Sequence, residues 1–252
     1  MVVTKLNDIA HRRFNPLSDS WVLLVSPHKL KRPRQGQKEV VTSSGRAHDP
    51  ECYLCPRNFR AKGDRNPNYT GTFIFESDFN IVRMDEGEYE EEVRKEDPMH
   101  GIAFELLRAQ PVIGRCYVLT YSPNHHYKMS NMTRQEVLGI VEAWTRVYAK
   151  HLCLNNPLRI SSTKIESLDP KFEDAPCLNI ADLKYMQIFD NNGEIVGCSN
   201  LHPHGQIWIT SSMPDEPRVE SAQMCKYRQE HGGRHLLGDY VQLELDREER
   251  IV

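Results

Sequence analysis

Apolar positions fall in short bursts along most of the chain, and only one long stretch keeps a helical period. It begins at Thr133-Arg134-Gln135-Glu136, a capping box, and carries Val137, Ile140, Val141, Trp144, Val147 and Tyr148 at helical spacing. The spacing predicts an amphipathic helix with that stripe turned to the core. Strand-like runs occupy residues 21–25, 72–75, 79–82, 115–121 and 185–189. Asp190-Asn191-Asn192-Gly193 predicts a tight turn into residues 194–196, and a further strand runs through Trp208. Residues 11–16 read as a turn, and the polar, weakly periodic segment 154–182 reads as an exposed insertion. Many short strands with one good helix give an α+β class built on a largely antiparallel sheet.

Composition narrows the function classes. A chain of 252 residues with 39% hydrophobic and 27% charged residues has ample material for a large core. Its net charge of -3 argues against a general nucleic-acid binder. No apolar run approaches the ~18 residues that span a bilayer, so no membrane partner is expected. The first residues lead into polar sequence without a signal-peptide core. Seven scattered cysteines, an odd number, predict reduced thiols and a cytoplasmic setting.

The densest chemistry lies in Gly197-Cys198-Ser199-Asn200-Leu201-His202-Pro203-His204-Gly205-Gln206. At extended spacing the two imidazoles leave one face of the backbone, and the small residues Gly197, Ser199 and Gly205 would admit a bulky anion to the main chain. A neutral imidazole is nucleophilic near pH 7. A Gln amide donates a hydrogen bond to a phosphoryl oxygen but gives no proton to a leaving group. The block therefore favours exchange between phosphates, whose leaving group (second pKa about 6) departs without protonation, over hydrolysis of phosphoramidates. A scattered His-x-His is otherwise a structural pair.

Cys52-Tyr53-Leu54-Cys55 fits half of a tetrahedral zinc site or a redox pair. There is no second Cys-x-x-Cys, so the remaining zinc ligands would be histidines, with His125 and His202 as candidates. The basic segment 26–36 is a solvated loop or a phosphate clamp, and Ser77-Asp78 is a plain turn or a sugar contact. Residues 85–97, with six Glu and two Asp, form an acidic loop.

These motifs closely resemble the galactose-1-phosphate uridylyltransferase family of the histidine-triad-like superfamily. The resemblance rests on His202-Pro203-His204-Gly205-Gln206 with Gly197-Cys198-Ser199-Asn200 ahead of it, on His11-Arg12-Arg13-Phe14-Asn15-Pro16-Leu17, Ser26-Pro27-His28 and Lys31-Arg32-Pro33. Cys52 with Cys55, Gly63-Asp64-Arg65-Asn66-Pro67 and Asn68-Tyr69-Thr70-Gly71-Thr72 extend it over most of the chain.

The resemblance implies a histidine-triad-like half-barrel with packed helices. It further implies a ping-pong exchange of UMP between UDP-glucose and galactose 1-phosphate, with UDP-galactose and glucose 1-phosphate as products. His204 would carry the uridylyl group, with Gln206 and Ser199 on its phosphate. Lys29, Arg32, Ala61, Ser77, Asp78, Asn191, Gly197 and Cys198 fall where the family contacts the nucleotide sugar. Lys29 and Arg32 sit on a loop that reaches across a homodimer. Lys29 stands where Arg is common, which puts a bidentate contact there in doubt.

Cys52, Cys55, His125 and His202 match the zinc ligands, and Glu220 matches a ligand of a second metal, iron in some members. The implied domains are residues 1–233, with nucleophile and zinc site, and 234–252, the start of a second half that would supply three further metal-binding histidines. Competing readings are a dinucleoside polyphosphate phosphorylase of the same superfamily and a zinc-stabilised binding remnant lacking the second half.

Overall fold

A computed structural model describes residues 11–24, 45–84, 112–152, 183–190 and 200–250. The chain divides into two compact units, Glu39–Ser212 and Met1–Lys38 with Met213–Val252.

The larger unit is built on a four-stranded sheet. Its strands are β3 (Phe73–Glu76), β4 (Gly114–Thr120), β5 (Tyr185–Phe189) and β6 (His204–Thr210), in the order β3-β4-β6-β5. Every neighbouring pair is antiparallel, as the sequence predicts, and the open sheet with packed helix is α+β. In β6, Thr120 of β4 stands opposite His204, while Val118 and Phe189 flank Gln206. Strand alternation turns His204, Gln206 and Trp208 to one face and Gly205, Ile207 and Ile209 to the other.

The second face is the core. Ile207 and Ile209 are fully buried against Ile74, Tyr117, Leu119 and Tyr121 and against Ile140, Ala143 and Val147 of helix α1 (Arg134–Leu152). Each such aliphatic side chain removed from water contributes about 1.5–3 kcal/mol. Gly205 is small for this packing: a Cβ there would run into the Tyr121 hydroxyl. Close approach on the core side is thus a reason for glycine here that the sequence did not show.

Helix α1 starts as its sequence dictates. Glu136 Oε2 accepts hydrogen bonds from the Thr133 amide and hydroxyl, both at 2.7 Å, and the Glu136 amide donates back to Thr133 Oγ1 at 3.4 Å. The buried stripe is Ile140, Ala143, Val147 and His151, whereas Val141 and Tyr148 are 42% and 48% exposed. Both lie about 100° round the helix from Ile140 and Val147, so the predicted stripe was one residue too wide.

One strand expectation changes. Residues 79–82 form bends: the Phe79 amide donates to Ser77 Oγ at 3.1 Å and the Asn80 amide group to Glu76 at 3.2 Å. Such local bonds compete with a ladder, and Phe79 and Ile81 remain exposed. The turn expected after Asp190, the strand expected over 194–196 and the insertion expected over 154–182 lie outside the described residues.

In the smaller unit, β1 (His11–Asn15) pairs antiparallel with β2 (Ser20–Leu24). The turn expected over residues 11–16 is displaced to residues 16–19. Asn15 Oδ1 accepts from the Leu17 amide at 3.0 Å, and Asp19 takes a φ of 51°. Two further helices, α2 (Asp215–Glu230) and α3 (Leu236–Arg247), were not anticipated. The Tyr227 hydroxyl donates to Asp239 at 2.7 Å between them, and Arg234 donates to the same carboxylate at 2.8 Å. No helix among the described residues is long and apolar enough to cross a membrane.

His151, at the end of α1, is 1% exposed and shares a 2.8 Å hydrogen bond with the Tyr117 hydroxyl. Burial, with Arg115 and Lys150 adding, lowers its pKa to about 4. The folded state keeps it neutral, while the unfolded chain binds a proton near pH 6.5, so stability falls as pH drops from about 6.5 to about 4. The full loss is about 3 kcal/mol. Urea unfolding across this window should show a steeper acid loss for the native protein than for His151→Gln. Parallel pH profiles would remove this account of His151.

Candidate metal centre and active site

Residues 49–58 form a tight turn whose backbone groups are collected by side chains. The Asn58 amide donates to the carbonyls of Asp49 and Cys52 at 2.8 and 2.7 Å. The Asn66 amide donates to Tyr53 and Cys55 at 2.9 and 3.0 Å, and the Tyr69 hydroxyl to Leu54 at 2.5 Å. Tyr69, Phe73 and Phe75 complete a second apolar cluster around Cys52, Leu54 and Cys55. This shell fixes both sulfurs on one side of the turn.

Two histidines reach the same point from distant sequence. His125 follows β4, with its amide bonded to the Ala47 carbonyl at 2.9 Å, and His202 immediately precedes β6. The ligand atoms of Cys52, Cys55, His125 and His202 lie within 4.8 Å of one another, and all four residues are buried. Cys55 Sγ is 3.5 Å from His125 Nδ1 and 3.4 Å from His202 Nδ1, and Cys52 Sγ is 3.8 Å from His202 Nδ1. Metal bonds of about 2.3 Å to sulfur and about 2.0 Å to nitrogen at a tetrahedral angle give sulfur–nitrogen edges of about 3.5 Å. The spacing fits a four-coordinate ion.

The surroundings set the protonation states. His202 Nε2–H donates to the Ser122 carbonyl at 2.8 Å, which leaves Nδ1 bare and facing the sulfurs. His125 presents Nδ1 to Cys55, and its Nε2 is 4.0 Å from Asp49 Oδ2. Burial, with Cys52 alongside, pushes the Cys55 thiol up to about 12. Burial lowers His202 to about 4 and also lowers His125, with His126 adding. Two thiolates in such a place need a cation, and a divalent ion reverses the penalty. Of the two readings of the cysteine pair, the arrangement favours metal binding over redox exchange.

His204 stays outside this group. It is the first residue of β6, and its Nδ1 lies 2.7 Å from the His202 carbonyl oxygen. A carbonyl only accepts, so Nδ1 is the donor, and in the neutral ring Nε2 keeps the free lone pair. Gln206 projects from the same face two residues on, and Thr120 opposite is fixed by its hydroxyl bond to the Phe73 carbonyl at 3.2 Å.

The remaining expected site residues are dispersed. Asp78 lines a cavity of about 670 Å³ with Lys62, Glu76, Arg83 and Arg115; His204 is not in its described lining. Ser77 closes the end of β3, its amide bonded to the Cys116 carbonyl at 2.8 Å, and Ala61 lies in an exposed turn. Lys29, Arg32, Asn191, Gly197, Cys198 and Ser199 fall outside the described residues. Glu220 sits on α2 in the smaller unit and, among the described residues, joins no group of three or more metal-binding side chains.

Sequence reasoning passed over Asn200, Asp49 and Tyr121. Asn200 and Asp49 carried a signal, lying inside or three residues ahead of the motifs already singled out. Tyr121 had none, because its role depends on Gly205 across the sheet.

A family model described as "Galactose-1-phosphate uridyl transferase, N-terminal domain" matches residues 2–214. A galactose-1-phosphate uridylyltransferase of Hypocrea jecorina is 50% identical over 248 residues, covering 98% of this chain and 63% of that protein. One of Neurospora crassa is 49% identical over 253 residues, covering 98% and 64%. The chain thus spans a little under two thirds of these relatives' length. Among solved structures, an ADP-glucose phosphorylase from Arabidopsis thaliana with bound ADP-glucose superimposes with a TM-score of 0.51. It is 17% identical, with 88% of this chain and 56% of that one covered, a likeness of fold. On the family match and these identities, the chain belongs to the galactose-1-phosphate uridyl transferase family, through that family's N-terminal domain.

Proposed function

We propose that the protein transfers UMP between UDP-glucose and galactose 1-phosphate by a ping-pong route through a uridylyl-histidine at residue 204. The observation that carries this is the 2.7 Å bond from His204 Nδ1–H to the His202 carbonyl, which selects, for the neutral ring, the tautomer with its lone pair on Nε2. Nε2 attacks the α-phosphorus of UDP-glucose; the N–P bond forms, and the bond to the bridging oxygen breaks. The electron pair leaves with glucose 1-phosphate, whose phosphate needs no proton near pH 7. A phosphate oxygen of galactose 1-phosphate then attacks the same phosphorus and releases the imidazole.

Gln206 suits this exchange because its amide donates to a phosphoryl oxygen without offering an acidic proton. Ser199 is assigned a second donor to that oxygen. Ala61, Ser77, Asp78, Asn191, Gly197 and Cys198 are assigned to the nucleotide sugar, with Lys29 and Arg32 reaching from the partner of a homodimer. Zinc is the ion assigned to Cys52, Cys55, His125 and His202, where it supplies a cross-link between the turn, β4 and β6. Glu220 is assigned to a second metal, iron, together with histidines from a second domain that residues 234–252 begin. A cytoplasmic setting fits the reduced thiols at Cys52, Cys55, Cys116 and Cys225.

Two experiments test the reading. Incubation with UDP-glucose labelled in the uridylyl phosphate should leave acid-labile, base-stable label on the native protein and none on His204→Gly. A folded, metal-loaded native protein that takes up no label would overturn the transfer and leave a binding role. Cys52→Ser should remove most of the bound metal and lower thermal stability, because ion binding and folding are linked. Unchanged zinc stoichiometry by metal analysis would sink the ligand assignment.

A further inference from the structure

Asn200 is 9% exposed and sits between the two halves of the site. Both side-chain atoms of its amide lie 3.5 Å from Cys52 Sγ. Its orientation is decided elsewhere, because the His202 backbone amide donates to Asn200 Oδ1 at 2.9 Å. Nδ2–H is then the atom offered to the sulfur. A metal-bound thiolate accepts hydrogen bonds and donates none, so a donor at this place fits the loaded state.

The same residue touches the chain on both sides of the metal. Cys52 receives a second N–H from the Leu54 amide at 3.4 Å, so the sulfur sits between two donors. His202 in turn gives its ring to the metal group and its carbonyl to His204 Nδ1 at 2.7 Å. Cys52 Sγ, the Asn200 amide, the His202 main chain and the His204 ring therefore form one continuous chain of polar contacts.

We propose that Asn200 is a positioning residue that ties the Cys52 sulfur to the backbone of His202 and thereby holds the His202 carbonyl where it orients His204. This rests on the assignment of His204 as the nucleophile. Asn200 touches no reacting atom. Its Nδ2–H tunes the sulfur, and its Oδ1 fixes the two-residue turn that carries the His202 carbonyl.

Two substitutions separate these duties. Asn200→Ala loses both contacts. In Asn200→Ser the hydroxyl still accepts from the residue 202 amide in a Ser-type turn but is too short to reach the sulfur. Cobalt(II) as the probe ion gives a readout independent of turnover. Both variants should shift the thiolate-to-cobalt charge-transfer band and weaken cobalt retention against a chelator by about tenfold or more.

Uridylyl labelling from UDP-glucose should slow about tenfold or more in Asn200→Ala, at little change in the half-saturating concentration, and recover substantially in Asn200→Ser. A cobalt spectrum and retention equal to the native protein's in both variants would overturn the sulfur contact. Equal labelling rates in Asn200→Ala and native protein would overturn the link to His204. Absence of label from the native protein itself would overturn the nucleophile assignment, with the cobalt spectra still judging the contact to Cys52.

Discussion

The arrangement depends on His202 being used twice. Its ring, held by the Ser122 carbonyl, turns Nδ1 into a buried group of sulfur and nitrogen ligands, while its own carbonyl accepts from His204 Nδ1. A single residue therefore links a buried ligand group to the orientation of a half-buried imidazole. The tautomer of the neutral ring is dictated by elementary donor and acceptor rules, with the Asp190 carboxylate close enough to interact electrostatically with His204. Pro203 between the two histidines limits the backbone freedom by which they could drift apart.

The two rings differ in burial. His202 and Cys55 are shifted away from their charged forms by loss of water, which makes the unloaded group an unfavourable place for thiolates. The half-buried His204 keeps access to solvent-borne anions. A sheet strand lets these environments sit two residues apart, because its neighbours bury one end while the face beyond stays open.

The sequence made the candidate metal group legible because Cys52 and Cys55 stand at ligand spacing and the missing partners had to be histidines. It made α1 legible through Thr133 and Glu136, whose reciprocal bonds are local. Where the outcome depended on distant partners, pattern reading failed. Phe79 and Ile81 look like a strand, but among the described residues no neighbour pairs with them and Ser77 captures the local amide. His11 to Asn15 look like a turn until β2 supplies the opposing ladder. Helix α2 lacks a clear apolar stripe and has no buried residue, and α3 buries only Leu236 and Glu244. Pro214 followed by Asp215 and Glu216 was the available signal.

The ladder about β6 has a consequence of its own. His204 and Gln206 share a face only because Ile207 and Ile209 are committed to the opposite one, sealed by Tyr121 over the bare Gly205. A one-residue slip of β6 against β4 would invert both sets together, burying two polar groups and baring two isoleucines. Misregistered chains would thus be inert and sticky at once, so the same hydrophobic pairs that stabilise the sheet also guard the handedness of its reactive side.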